Sequence, residues 1–144
     1  MVNKTTYQAF EILNKVSEAK TKKEKIKLLK EQDNNWALKD ILRGSYDDAV
    51  QWILPTGKAP YDPAPEESHP SSWYQHNRKL ENFVKGGPGE RLRSYQREKI
   101  FLDILESIHP SDAELLVQMI NKKLEVKGIT KALVKEAYPK LILK

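Results

Sequence analysis

The stretch DAELLVQMINKKLEVKGITKALVKEAYPKLI, residues 112–142, decides the fold class. It reads as two short helices joined at a glycine, the first ending near Lys127 or Gly128 and the second opening at Thr130. Lys122, Lys123, Lys127 and Lys131 crowd the junction. Gly128 has no side chain, so the backbone there can turn tightly and come close to a phosphate. Thr130 is placed to cap the last helix, leaving its first amides and the positive end of its dipole to face an anion. Lysines around such a corner make phosphate contacts that ignore base sequence. A plain helix-turn-helix corner, with lysines kept for solubility, fits the same residues.

Helical patterning continues N-terminally from this stretch. Phe10, Leu13 and Val16, with Tyr7 one turn earlier, predict a helix over about residues 6–19. Thr21-Lys22-Lys23-Glu24 is a capping box for a second helix buried through Ile26, Leu28 and Leu29. Asn34 or Asn35 caps a third, carrying Leu38, Ile41 and Leu42, with Gly44 placed to end it. Ser45-Tyr46-Asp47-Asp48 reads as a further N-terminus leading to Val50, Trp52 and Ile53. Residues 55–72 hold five of the eight prolines and form a long loop within one domain. A helix from about Ser72 to Lys85 follows, with Trp73, Leu80, Phe83 and Val84 for burial. Beyond Gly86-Gly87-Pro88-Gly89, the longest helix runs from Glu90 to Ile108, buried through Leu92, Tyr95, Phe101, Leu102 and Leu105. Pro110 and the capping box Ser111-Asp112-Ala113-Glu114 separate it from the quoted stretch. No segment alternates as a strand would, so residues 1–144 are expected to form a single all-α domain.

Cysteine is absent, which excludes disulfides and thiolate metal sites and suits a reducing cytoplasm. No apolar run approaches the roughly 20 residues that span a bilayer, so no membrane partner is expected. The net charge of +5 is unevenly placed. Residues 1–72 are balanced, at 11 Lys/Arg against 11 Asp/Glu, and the excess lies in two segments, 78–99 and 122–144. These flank an acidic stretch, 100–121, and form one basic face if they meet in space. The first contains a second anion-binding candidate: Gly87 and Gly89 expose backbone amides as a nest, and Arg91 and Arg93 reach phosphate bidentately. A simple hinge explains the same glycines. The Gly-Lys-Ser/Thr ending of a Walker loop is missing. Asp62, Glu66, Glu67, His69, Trp73, Tyr74 and His76 cluster in sequence, but their spacing matches no compact ligand motif, so neither a metal nor a cofactor is expected. Trp73, Tyr74 and Trp52 are candidates for base stacking, for a protein partner or for the core. No nucleophile-base pair stands out, so no catalytic residue is assigned.

Taken in order, Ile12-Leu13-Asn14-Lys15, Thr21-Lys22-Lys23-Glu24-Lys25, Leu28-Leu29-Lys30, Leu38-Lys39-Asp40-Ile41-Leu42-Arg43 with Tyr46, and Leu115 through Ile142 resemble a known domain. It is the N-terminal DNA-binding domain of ATP-dependent DNA ligases, especially those of T-even-like bacteriophages. In that family a basic residue and a leucine precede a glycine turn, a small hydroxyl residue opens the next helix, and an aromatic-Pro-x-Leu-Ile tail closes the domain. The likeness covers nearly the whole chain, and residues 55–90 align loosely.

The resemblance implies a compact multi-helix fold that lies across the minor groove and holds duplex DNA around a nick. Gly87, Gly89, Arg91, Arg93, Lys122, Lys123, Lys127, Gly128, Thr130 and Lys131 would carry the contact. Ligases charge the lysine of a Lys-x-Asp-Gly motif, which this sequence lacks, so the expectation is a non-enzymatic, phage-encoded accessory to replication, repair or transcription in the host cytoplasm. The alternative is a protein-interaction module or inhibitor that docks the same fold on a replication, transcription or host factor.

Overall fold

The computed structural model describes residues 9–55, 60–62, 73 and 76–141. Among them are six α-helices: α1 (Ala9–Glu18), α2 (Lys22–Glu31), α3 (Trp36–Tyr46), α4 (Ser94–Ser107), α5 (Pro110–Ile120) and α6 (Lys131–Ala137). Two 3-10 segments, Asn77–Phe83 and Pro88–Arg91, precede α4. The described residues contain no strand, and Trp52 and Val84 form an isolated antiparallel bridge. The protein is all-α.

The helices pack because each presents one apolar stripe. In α1 this is Ala9, Ile12, Leu13 and Val16, all buried at the expected spacing. Helix α5 contributes Ala113, Leu115, Leu116, Met119 and Ile120 and packs against α1, α3 and α4, while α2 packs on α1 and α6. The caps are local. Thr21 Oγ1 accepts from Glu24 N, Asn35 Oδ1 from Leu38 N and Thr130 Oγ1 from Leu133 N. Each satisfies one orphan amide of the first turn. Leu29 alone of the α2 trio is fully buried, with Ile26 and Leu28 packed at the edge of the core.

Several local expectations give way to tertiary contacts. Gly44 does not end α3, which continues to Tyr46. A Cβ at Gly44 would stand 2.5 Å from Trp52 Cζ2 and 2.7 Å from Met119 Sδ, so the glycine admits those two side chains against the helix. Residues 45–53 form no new helix. The Asp47 amide closes α3 onto the Arg43 carbonyl, and its buried carboxylate accepts from Ala49 N. The chain then runs extended, with Ile53 N donating to Phe83 O and Lys85 N to Gln51 O. Val50, Trp52 and Ile53 are residue types that favour such a conformation. Instead of an α-helix reaching Lys85, residues 77–83 form a 3-10 segment with Leu80 and Phe83 inside.

Helix α4 begins at Ser94, not Glu90, and Tyr95 is 62% exposed where burial was expected. Helix α5 is capped by His109, whose Nδ1 accepts from Ser111 N, in place of a Ser111 box. It ends at Ile120, several residues before Lys127. Lys122 adopts a left-handed φ of 57°, Lys122 N donates to Met119 O and Lys123 N to Gln118 O. That is a Schellman ending, with lysine where glycine is usual. Residues 121–130 are therefore an irregular connection, and α6 is a single short helix after it. The predicted Tyr7, most of the 55–72 loop and Ile142 lie outside the described residues. Within that loop, the Asp62 amide donates to Glu106 Oε2 at 2.9 Å, tying it to α4.

Candidate nucleic-acid interface

The connection from α5 to α6 is fastened at both sides of Gly128. Ser17 Oγ of α1 donates to the Lys127 carbonyl at 2.6 Å, and the Tyr46 hydroxyl of α3 donates to the Ile129 carbonyl at 3.1 Å. Burial raises the Tyr46 pKa, so the hydroxyl keeps the proton it donates. Ile129 is buried, whereas Lys127, Gly128 and Thr130 are exposed. Gly128 has φ +80°, which L side chains rarely adopt. A Cβ there would lie 2.5 Å from Lys25 Nζ. The Lys25 ammonium, from α2, thus sits against the bare face of Gly128.

This contact redistributes the lysines of the corner. Lys122, Lys123 and Lys127 are all exposed, but only Lys123 and Lys127 extend from the corner without a contact to the turn after α3 among the described residues. Lys122 Nζ instead donates to the Asp47 carbonyl at 2.8 Å, and desolvation lowers its pKa despite the nearby Asp48 and Asp47 charges. Lys131 Nζ reaches Asp48 Oδ2 at 3.5 Å. Two of the four lysines expected at the corner therefore lean on the turn after α3. Lys25 joins Lys127 at Gly128 in their place. Its basic run, Lys22 to Lys27, is visible in sequence, but only the α2–α6 packing shows which member reaches the glycine. Lys22 itself pairs with Glu136 at 2.7 Å.

In the second candidate the glycines serve packing. The Gly87 amide donates to the Val84 carbonyl at 3.0 Å, and a Cβ on Gly87 would meet Glu81 O at 2.5 Å. Gly89 is buried, with a Cβ position 1.8 Å from Asn82 O. An open nest of amides is thus not formed at Gly87. Arg97 pins the turn by donating to the carbonyls of Gly89 and Leu92. Arg91 and Arg93 remain exposed, and Tyr95 stands exposed two residues beyond Arg93. An exposed aromatic ring close in sequence to two exposed arginines is the residue pattern that single strands stack on. The sequence reading missed Tyr95 because its position continues the helical stripe of Leu92 and Leu102.

The other aromatics sort clearly. Trp73 is fully buried and its Nε1 donates to the Ala37 carbonyl, and Trp52 Nε1 donates to the Gly44 carbonyl. Both belong to the fold. Glu66, Glu67, His69 and Tyr74 lie outside the described residues, and the described residues contain no group of three His, Cys, Asp or Glu able to hold a metal. No helix among them is long and apolar enough to cross a membrane.

The chain belongs to a family of unknown function, DUF6433, which it matches over residues 12–126. The match takes in Lys25, Arg91, Arg93, Lys122 and Lys123 and stops two residues short of Gly128. No curated protein matches the chain.

Proposed function

We propose that this member of DUF6433 is a non-catalytic module that grips duplex or nicked DNA through its phosphates, with little sequence preference. The observation that carries the reading is the seat of Lys25 Nζ against Gly128 beside exposed Lys127. Two segments more than a hundred residues apart bring ammonium groups to a backbone position with no side chain to hold a phosphate off. Lys123 lies on the same connection, and the exposed Arg91, Arg93 and Tyr95 offer a second point of contact. The ligase-domain resemblance adds duplex held around a nick to the substrates, and a phage-encoded role beside replication, repair or transcription. Acidic neighbours set the limits of the surface: Asp48 occupies Lys131 and Glu136 occupies Lys22.

Fluorescence anisotropy of labelled intact and nicked duplexes, titrated at several salt concentrations, tests the reading. Three phosphates neutralised at the corner give a log-log salt slope of about −2.7, or roughly 40-fold weaker binding at 200 mM than at 50 mM salt. Binding that ignores salt, or no binding at low salt, refutes it.

A further inference from the structure

A cleft of about 440 Å³ opens on the side of α3 that meets the end of α6, lined by Asp33, Trp36, Lys39, Arg43 and residues 137–141. Trp36 is 61% exposed, the most exposed tryptophan of the described structure. It is the first residue of α3, just after the Asn35 cap and off the stripe of Leu38, Ile41 and Leu42 that enters the core. Folding has left its ring in solvent.

The polar groups of the cleft are held in place. Lys39 is nearly buried, its Nζ 4.3 Å from the Trp36 ring centroid and 5.0 Å from that of Tyr138, and it donates to the Asp33 carbonyl and carboxylate. Arg43 Nε lies 3.5 Å from the buried carboxylate of Asp47, an ion pair that anchors the half-exposed guanidinium at the cleft wall. Lys140 is exposed at the rim. Asp33 is the single acidic residue of the lining, and Lys39 takes it up. With Lys39 set against Asp33 and Arg43 against Asp47, the Lys140 ammonium leaves the cleft one positive charge in excess, and its walls, Trp36, Ala137, Tyr138, Pro139 and Leu141, are apolar.

We propose that this cleft docks an acidic peptide segment of a partner protein. A carboxylate of the peptide meets Arg43 and Lys140, and an adjacent aromatic or aliphatic side chain lies on Trp36 and Pro139. Charge complementarity selects the acid, and the pre-fixed Arg, Trp and Tyr are the residue types that dominate binding at the centre of protein interfaces. The volume suits a few side chains. The inference is independent of DNA binding at Gly128.

The test is selection of a phage-displayed random heptapeptide library on the purified chain, followed by anisotropy of the enriched peptides against Trp36→Ala and Lys140→Glu. Both residues are exposed, and circular dichroism checks that the variants keep their helices. Enriched peptides should pair Asp or Glu with an apolar neighbour, and each variant should weaken them by about 30-fold or more. No enrichment, enrichment of basic peptides, or affinities untouched by both variants overturns the proposal. So does a loss of duplex binding in Trp36→Ala, which would make the cleft part of a nucleic-acid surface.

Discussion

Replacing Asp112 with asparagine should remove one pH-dependent loss of stability between pH 4 and 7. The carboxyl group sits in the first turn of α5, fully buried, with Oδ1 accepting from Phe10 N at 2.8 Å and Oδ2 without a hydrogen-bond partner among the described residues. Burial pushes its pKa from 3.8 up to about 6, the Phe10 amide opposes this, and Glu11 adds to it. The folded chain therefore holds a proton that the unfolded chain has released across that interval. Stability from this group is full below the unfolded value and is lost as pH rises through about 6. At about 1.4 kcal/mol per unit, the charged form costs the native state roughly 3 kcal/mol at neutral pH. Roughly 1 kcal/mol of that returns on acidification from pH 7 to 5. Urea denaturation of wild type and Asp112→Asn at pH 4, 5, 6 and 7 isolates the term, because all other titrating groups cancel in the difference. The asparagine carbonyl still accepts from Phe10, so the variant should be more stable than wild type at pH 7, and the gap should shrink as pH falls. Parallel curves would refute the buried-charge reasoning.

Other positions yield simpler tests. Asp112→Ala should lower stability by about 1–3 kcal/mol at pH 4, where little of the charge penalty remains and the Phe10 amide loses its acceptor, again by urea denaturation. Gly44→Ala forces Trp52 and Met119 aside and should cost about 1–3 kcal/mol, read as a lower melting temperature. Gly86→Ala meets open space and pays only for φ +89°, about 1–2 kcal/mol, whereas Gly89→Ala runs into the Asn82 backbone and should destabilise more; the reverse order would contradict the packing described. Thr130→Ala removes the α6 cap and should cost about 1 kcal/mol by thermal denaturation.

Helix identity was legible wherever a long apolar stripe met a cap. Thr21, Asn35 and Thr130 behave as their sequences predict, and the α3 stripe is buried as read, whereas in α1 Leu13 and Val16 are buried but Phe10 only partly, with Ala9 and Ile12 taking its place inside. What failed depended on partners distant in sequence. Gly44 reads as a terminator until Met119, seventy-five residues later, is seen to need the space. Residues 50–53 have apolar spacing that a helix or a strand can use, and the Phe83 carbonyl decides between them. Lys122 cannot be recognised as a left-handed helix ending from its type, since glycine is the usual choice there. At the candidate interface, the glycine, the threonine cap and the exposed Lys123 and Lys127 were legible. The capture of Lys122 and Lys131 by residues 47–48 and the arrival of Lys25 follow from packing between helices, which local sequence does not encode.

The most direct test of the DNA-binding account is the salt dependence of nicked-duplex affinity in Lys25→Gln/Lys127→Gln compared with wild type. Among the described residues neither side chain pairs with an acid, so neutralising them should weaken binding and flatten the log-log slope by about 1.8 while leaving the helical content unchanged. A double variant with the wild-type slope and affinity would show that the Gly128 corner does not touch DNA.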